Sequence, residues 1–189
     1  RYKGSKDTGE SYSAARDIDH TNIDVQNGIV TWMNDVLKNV GFVGWRYDYV
    51  KGYAGNYVGY YNQKSSAEFS VGEYYPTTSF SSSVSATWSN LITDWIKETA
   101  QKTNNENGQT SRAFDFVLKG IFNDVFGWGN SSSNVAGKGS ANYALLNDAN
   151  IICRRLPGYA VTFVDNHDTG STQRQWYINP DGIAPAYAY

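Results

Sequence analysis

The chain has 189 residues, enough for one domain and too few for two comfortable ones. Its net charge of -2, with 18 acidic and 16 basic residues interspersed, excludes the basic footprint of a nucleic-acid binder or an anionic-membrane binder. No apolar run approaches the ~20 residues of a membrane span, no signal-peptide pattern opens at Arg1, and a lone Cys153 excludes an internal disulfide.

Taken in order, residues 1–21 are polar and read as a loop. Val25, Ile29, Trp32, Val36, Leu37 and Val40 then recur at helical spacing, with Asn22 as cap and Gly41 as stop. A short strand follows from Val43 to Asp48, then a weak helix from Asn56 to Gln63 and a second strand from Ala67 to Glu73. Ser79 to Ser89 reads as a serine-rich loop that hands over to an amphipathic helix with Leu91, Ile92, Trp95, Ile96 and Thr99 on its apolar face.

After a polar connection from Thr103 to Thr110, a third strand is predicted over Arg112 to Phe116. Leu118, Ile121, Phe122, Val125 and Phe126 repeat as a helix, and Gly127 to Ala141 reads as a Gly- and Ser-rich mobile insertion. Tyr143 to Arg155 is predicted helical, and Tyr159 to Val164 is the clearest strand. Strands alternating with helices predict parallel βαβ units, an α/β fold. The 15 Tyr and 6 Trp are read mainly as core, although such rings also stack on sugar faces.

Three of these strands run into an acid: Asp48, Glu73, and Asp165 continuing to Asp168. Acids are poor strand residues, and one such ending is expected simply to cap the next helix. Three in one alternating chain carry more weight, because a parallel barrel puts every strand's C-terminal end on the rim where catalytic groups sit. Asp48 and Glu73 are 25 residues apart, about one βα unit, which suits adjacent strands ~4.8 Å apart. That spacing fits the ~5–5.5 Å carboxyl gap of a retaining glycosidase. Arg46 points to the same face as Asp48, where a guanidinium orients a carboxylate and keeps it ionised.

The segments GFVGWRYDYVKGY, EFSVGEYYP and TFVDNHDTGSTQ, in this order, resemble signature segments of the α-amylase family, with wording closest to its plant-type branch. The likeness runs from DTGESYSAARDIDHTN at Asp7 to Tyr189. The resemblance implies a (β/α)8 TIM barrel, present here as about strands four to seven. It implies retaining endo-hydrolysis of α-1,4-glucosidic bonds in starch or maltooligosaccharide, in a secreted protein.

Matched residue by residue, Asp48 stands where the family has its nucleophile, Arg46 its arginine, Glu73 its acid/base, and Asp168 the third acid that grips sugar hydroxyls. His167 matches a sugar-binding histidine, and Lys51 and Gly52 line the aglycone side. Tyr74 stands where the plant-type pattern has Trp, which implies a weaker first aglycone subsite. The family's calcium is implied at Asp7, Asp17 and the Gly52 carbonyl, hard oxygen donors that suit this ion. By themselves Asp7 and Asp17 read as solvated loop acids.

The resemblance also places the family's first signature segment and its eighth strand outside these residues. The expectation is therefore a poorly active chain with exposed sheet edges, prone to self-association. A transglycosylase of the same family and a non-catalytic glucan-binding fragment are the rival readings. A metal-dependent hydrolase built on Asn166, His167 and Asp168 is disfavoured, because two His supply too few nitrogen ligands.

Overall fold

In the computed structural model the described residues are 8–10, 17–77, 80–129, 136–169 and 177–189, so Asp7 lies outside them. The chain divides into two compact units, Arg1–Tyr75 with Asp94–Ala113, and Pro76–Thr93 with Phe114–Tyr189.

In the first unit, helix α1 (Ile23–Thr31) starts where expected, its Asn22 side chain accepting the Asp24 N–H at 2.8 Å. The predicted apolar stripe does not continue along it. The helix passes into a π-helical turn, Trp32–Leu37, and a 3-10 turn, Lys38–Val40, before Gly41 stops it at φ 104°. The wider turn rotates every later side chain, so Trp32, Val36 and Val40 are exposed while Met33 is buried. Gln26, polar on paper, is buried because it is satisfied: its Nε2 donates to the His20 carbonyl at 2.8 Å and its Oε1 accepts from Asn104 at 2.7 Å.

Strand β1 (Gly44–Tyr47) and strand β2 (Phe69–Gly72) flank helix α2 (Gly55–Ser65) in sequence and pair in parallel. Their register sets Gly44 opposite Phe69 and Tyr47 opposite Gly72. Trp45, Met33, Tyr60, Tyr61 and Ala67 form the core between sheet and helices, with Trp45 Nε1 donating to Ser65 Oγ at 2.8 Å. Polar groups inside are paired as well: Asn62 reaches Ser70 Oγ at 2.8 Å, and Ser70 reaches Ser111 Oγ at 2.9 Å.

The stretch read as a serine loop instead coils into a 3-10 turn, Ser82–Val84, and enters helix α3 (Ser85–Thr99). Small polar residues signal a loop, but here Trp88 is buried and the Ser89 hydroxyl accepts from Arg155 at 3.0 Å, so tertiary contacts override propensity. Along α3, Ile92, Trp95, Ile96 and Thr99 are buried as expected, whereas Leu91 is exposed.

Strand β3 (Arg112–Phe114) belongs to both units. Val71 pairs with Arg112 and Gly72 with Ala113. Asp115 then caps helix α4 (Phe116–Phe126), accepting the Leu118 N–H at 2.9 Å and the Cys153 N–H at 2.8 Å.

The predicted insertion contains two paired antiparallel strands, β4 (Gly127–Gly129) and β5 (Ala136–Lys138). Beyond them a 3-10 turn, Tyr143–Asn147, and the short helix α5 (Ile152–Arg155) replace the single helix expected over 143–155. The clearest predicted strand shrinks to β6 (Ala160–Val161). Asp115 N donates to Val161 O at 2.9 Å and then turns into the α4 cap, so no further β3 backbone remains for residues 162–164 to pair with. Phe163 packs instead, edge-on, against Phe114 and Phe116 at 5.5 and 5.0 Å between centroids. Helix α6 (Pro180–Ala188) closes the chain.

The sheet is parallel, in the order β1-β2-β3-β6, and with its helices forms an α/β fold consistent with part of a (β/α)8 barrel.

Candidate active site

Asp48 and Glu73 each follow directly on the last paired residues of β1 and β2, Tyr47 and Gly72. The ladder continues beyond the strand ends on the Glu73 backbone, whose N–H donates to Tyr47 O at 2.9 Å and whose carbonyl accepts from Val50 N at 3.3 Å. Two residues of β1's continuation, Asp48 and Tyr49, thus lie against one on the partner, and the extra length is taken up at Tyr49, which sits in the left-handed region at φ 46°. A non-glycine residue there costs about 1–3 kcal/mol, retained only because the surroundings over-determine it. The kink turns the chain immediately after Asp48.

One guanidinium holds both acids. Arg46 Nη1 lies 2.8 Å from Asp48 Oδ1, and Arg46 Nη2 lies 2.9 Å from Glu73 Oε1. The i, i+2 placement of Arg46 and Asp48 delivers the shared face read from the sequence. The two carboxylates differ in setting: the Asp48 side chain is 72% exposed and that of Glu73 only 7%.

An aromatic wall adjoins them. A cavity of about 450 Å³ is lined by Arg46, Trp45, Tyr47, Tyr53, Tyr61 and His20, among others. His20 stacks on Tyr53 at 4.3 Å between ring centroids, and its Nδ1 is 2.8 Å from the Tyr61 hydroxyl. Burial, with the Asp48 charge adding to it, pushes the Tyr53 phenol well up, and burial does the same to Tyr47, so both stay neutral hydroxyls. Burial pulls His20 down, which keeps it neutral.

The remaining predicted residues of this unit take definite places. Lys51 is engaged, its Nζ 2.9 Å from Glu10 Oε2 and 5.5 Å from the Tyr49 ring centroid. Gly52 is buried, and a Cβ on Gly9 would overlap the Gly52 backbone; Glu10 N donates to Lys51 O at 2.8 Å. Segment 8–10 is therefore laid directly on 51–53. Asp17 is exposed. Tyr74 is half-buried, its ring 6.4 Å from that of Trp95.

In the second unit, His167 is exposed and its Nε2 is 3.3 Å from Asp168 Oδ2. The turn carrying them is locked by Asn166, whose Oδ1 accepts the Asp168 N–H at 3.0 Å and the Thr169 N–H at 2.8 Å. Sequence reasoning passed over two features. One is the pair Lys119 and Asp165, 2.6 Å apart with Lys119 fully buried; a lysine amid VLKGIF was the available signal. The other is the His20 and tyrosine cluster, for which composition offered only an excess of rings.

Parallel β/α units whose adjacent strands end in acids bound by one arginine are consistent with part of a (β/α)8 barrel. Comparison with known proteins gives a family relation. No family model matches the chain. It is 33% identical to "Probable alpha-amylase 2" of Arabidopsis thaliana over 98% of its own length and 42% of that protein's. It is 31% identical to "Alpha-amylase 3, chloroplastic" of the same plant over 99% of its length and 20% of that protein's. A 33-residue stretch is 61% identical to "Alpha-amylase type B isozyme" of Hordeum vulgare. The chain is related to the α-amylase family. It spans less than half the length of these two Arabidopsis relatives. Among the described residues no helix is long and apolar enough to cross a membrane.

Proposed function

We propose that this chain carries the catalytic acids of a retaining α-glucan hydrolase. The observation that supports the reading most is the fork of Arg46, which holds Asp48 and Glu73 at the ends of two adjacent parallel strands. Strand ends ~4.8 Å apart suit the ~5–5.5 Å carboxyl spacing of a retaining enzyme better than the wider gap an inverting enzyme needs for its water.

The two settings sort the roles. Asp48, exposed and oriented by Arg46 Nη1, is the nucleophile that attacks the anomeric carbon. Glu73, buried and in contact with Arg46, protonates the glycosidic oxygen and then takes a proton from the water that frees the sugar. Asp168, with His167, binds sugar hydroxyls and stabilises the positive charge that develops on the ring. Tyr74 borders the aglycone side.

Calcium suits hard oxygen donors of the kind that Asp17 and the Gly52 carbonyl offer. Asp17 and the Gly52 carbonyl would hold it, with Asp7 as a third donor outside the described residues, and the ion would pin this loop behind the site.

Hydrolysis of a chromogenic maltooligosaccharide tests the reading. Turnover should fall by about 10⁴-fold or more in Asp48→Asn and in Glu73→Gln, while Glu68→Gln, an exposed acid at the opposite end of β2, stays active. Equal activity in all three variants would remove the assignment.

A further inference from the structure

The proposed roles leave unexplained a charge placed at high cost. Lys119 sits mid-helix on α4, fully buried, among Phe116, Leu118, Ile121 and Phe122. Burial pulls its ammonium down from the ordinary lysine value, opposed by Asp165, whose Oδ1 lies 2.6 Å from Nζ. A buried ion pair is weak evidence for stability, since well-packed apolar residues of similar volume often serve as well. Its contacts show what it does instead.

Asp165 is the first residue of the turn that carries His167 and Asp168. Besides Lys119, its carboxylate accepts the Ile178 N–H at 3.1 Å and the Thr169 hydroxyl at 3.4 Å. Thr169, fully buried, shares its one hydroxyl proton between Asp165 and Asn166 Oδ1, 3.1 Å away, and accepts the Asn166 N–H at 3.1 Å. The same Asn166 Oδ1 accepts the Asp168 N–H. A continuous run of hydrogen bonds therefore leads from the α4 core to the Asp168 backbone, and Lys119 is its buried end.

We propose that Lys119 and Asp165 are positioning residues for Asp168: the buried pair anchors the 165–169 turn to α4 and so fixes the carboxylate that steadies the transition state. The inference rests on the Asp168 role proposed above. Lys119 touches no substrate, and its effect passes through Asp165, Thr169 and Asn166. A misplacement of about 1 Å at a reacting centre costs ~100-fold in rate, so loss of the anchor shows in kcat more than in folding.

The test is a double-mutant cycle between Lys119→Met and Asp168→Asn, read as kcat and KM on a maltooligosaccharide beside melting curves. Lys119→Met alone should lower kcat about 10- to 100-fold with a small change in KM, yet lower it no further on the Asp168→Asn background. Equal fold losses on both backgrounds, or a lowered melting temperature with unchanged kcat, would overturn the inference. Asp168→Asn with wild-type turnover would instead overturn the role given to Asp168. Asp165→Asn repeats the cycle should Lys119→Met not fold, since the amide keeps an acceptor for Ile178 N–H. Failure of both variants to fold would mark the pair as a folding determinant and also overturn the positioning role.

Discussion

At the residue scale Arg46 is the group that ties the two acids together. Its planar fork reaches two acids at 2.8 and 2.9 Å at once, which a lysine point charge cannot do. Arg46→Lys should therefore lower kcat/KM about 10- to 100-fold although the charge is kept, with steady-state kinetics as the check. Near-normal kinetics would detach Arg46 from the acids. A second prediction concerns His20. Burial holds it below its ordinary value of 6.5, so the unfolded chain binds this proton more tightly than the folded one. Stability should fall as pH drops below about 6.5, by the sign of the linkage. Melting curves at pH 7 and 5 should show a smaller loss in His20→Gln than in the unaltered chain. An identical pH slope would show that His20 does not titrate on unfolding. The placement of Arg46, Asp48 and Glu73 at adjacent strand ends was legible in the sequence because strand alternation and βα spacing act locally. Lys119 was not, because only tertiary packing decides that a lysine in a helix is buried.

At the element scale, β2 and α3 meet at Gly72. A Cβ there would overlap the six-membered ring of Trp95, so the residue before Glu73 has room for hydrogen alone. Gly72→Ala should destabilise the fold by about 1–3 kcal/mol through overpacking and should also lower kcat by displacing Glu73. Unchanged thermal stability and kinetics would show that Trp95 moves aside freely. The elements were legible where periodicity is regular, as in β1, β2 and α4. They were misread where local geometry intervenes: the π-helical turn at Trp32–Leu37 rotates the apolar stripe outward, and the Asp115 cap cuts β6 short. The serine-rich stretch before α3 failed for a related reason, since burial of Trp88 outweighs the loop propensity around it.

At the scale of the whole molecule, the resemblance carried by three separated motifs matches a family relation that extends over 98% of the chain. The contact of segment 8–10 with 51–53 predicts that calcium raises the melting temperature by mass action and that a chelator lowers it. Asp17→Asn should reduce the shift. A melting curve indifferent to both would take calcium out of the account. The central claim is that Asp48 attacks carbon. It is tested most directly by trapping with a fluorinated maltosyl fluoride, which forms the glycosyl-enzyme and hydrolyses it slowly. Peptide mass spectrometry should find one sugar adduct, on Asp48, in the unaltered protein and none in Asp48→Asn. An adduct on Glu73, or steady turnover of the reagent with no adduct on any carboxylate, would contradict it.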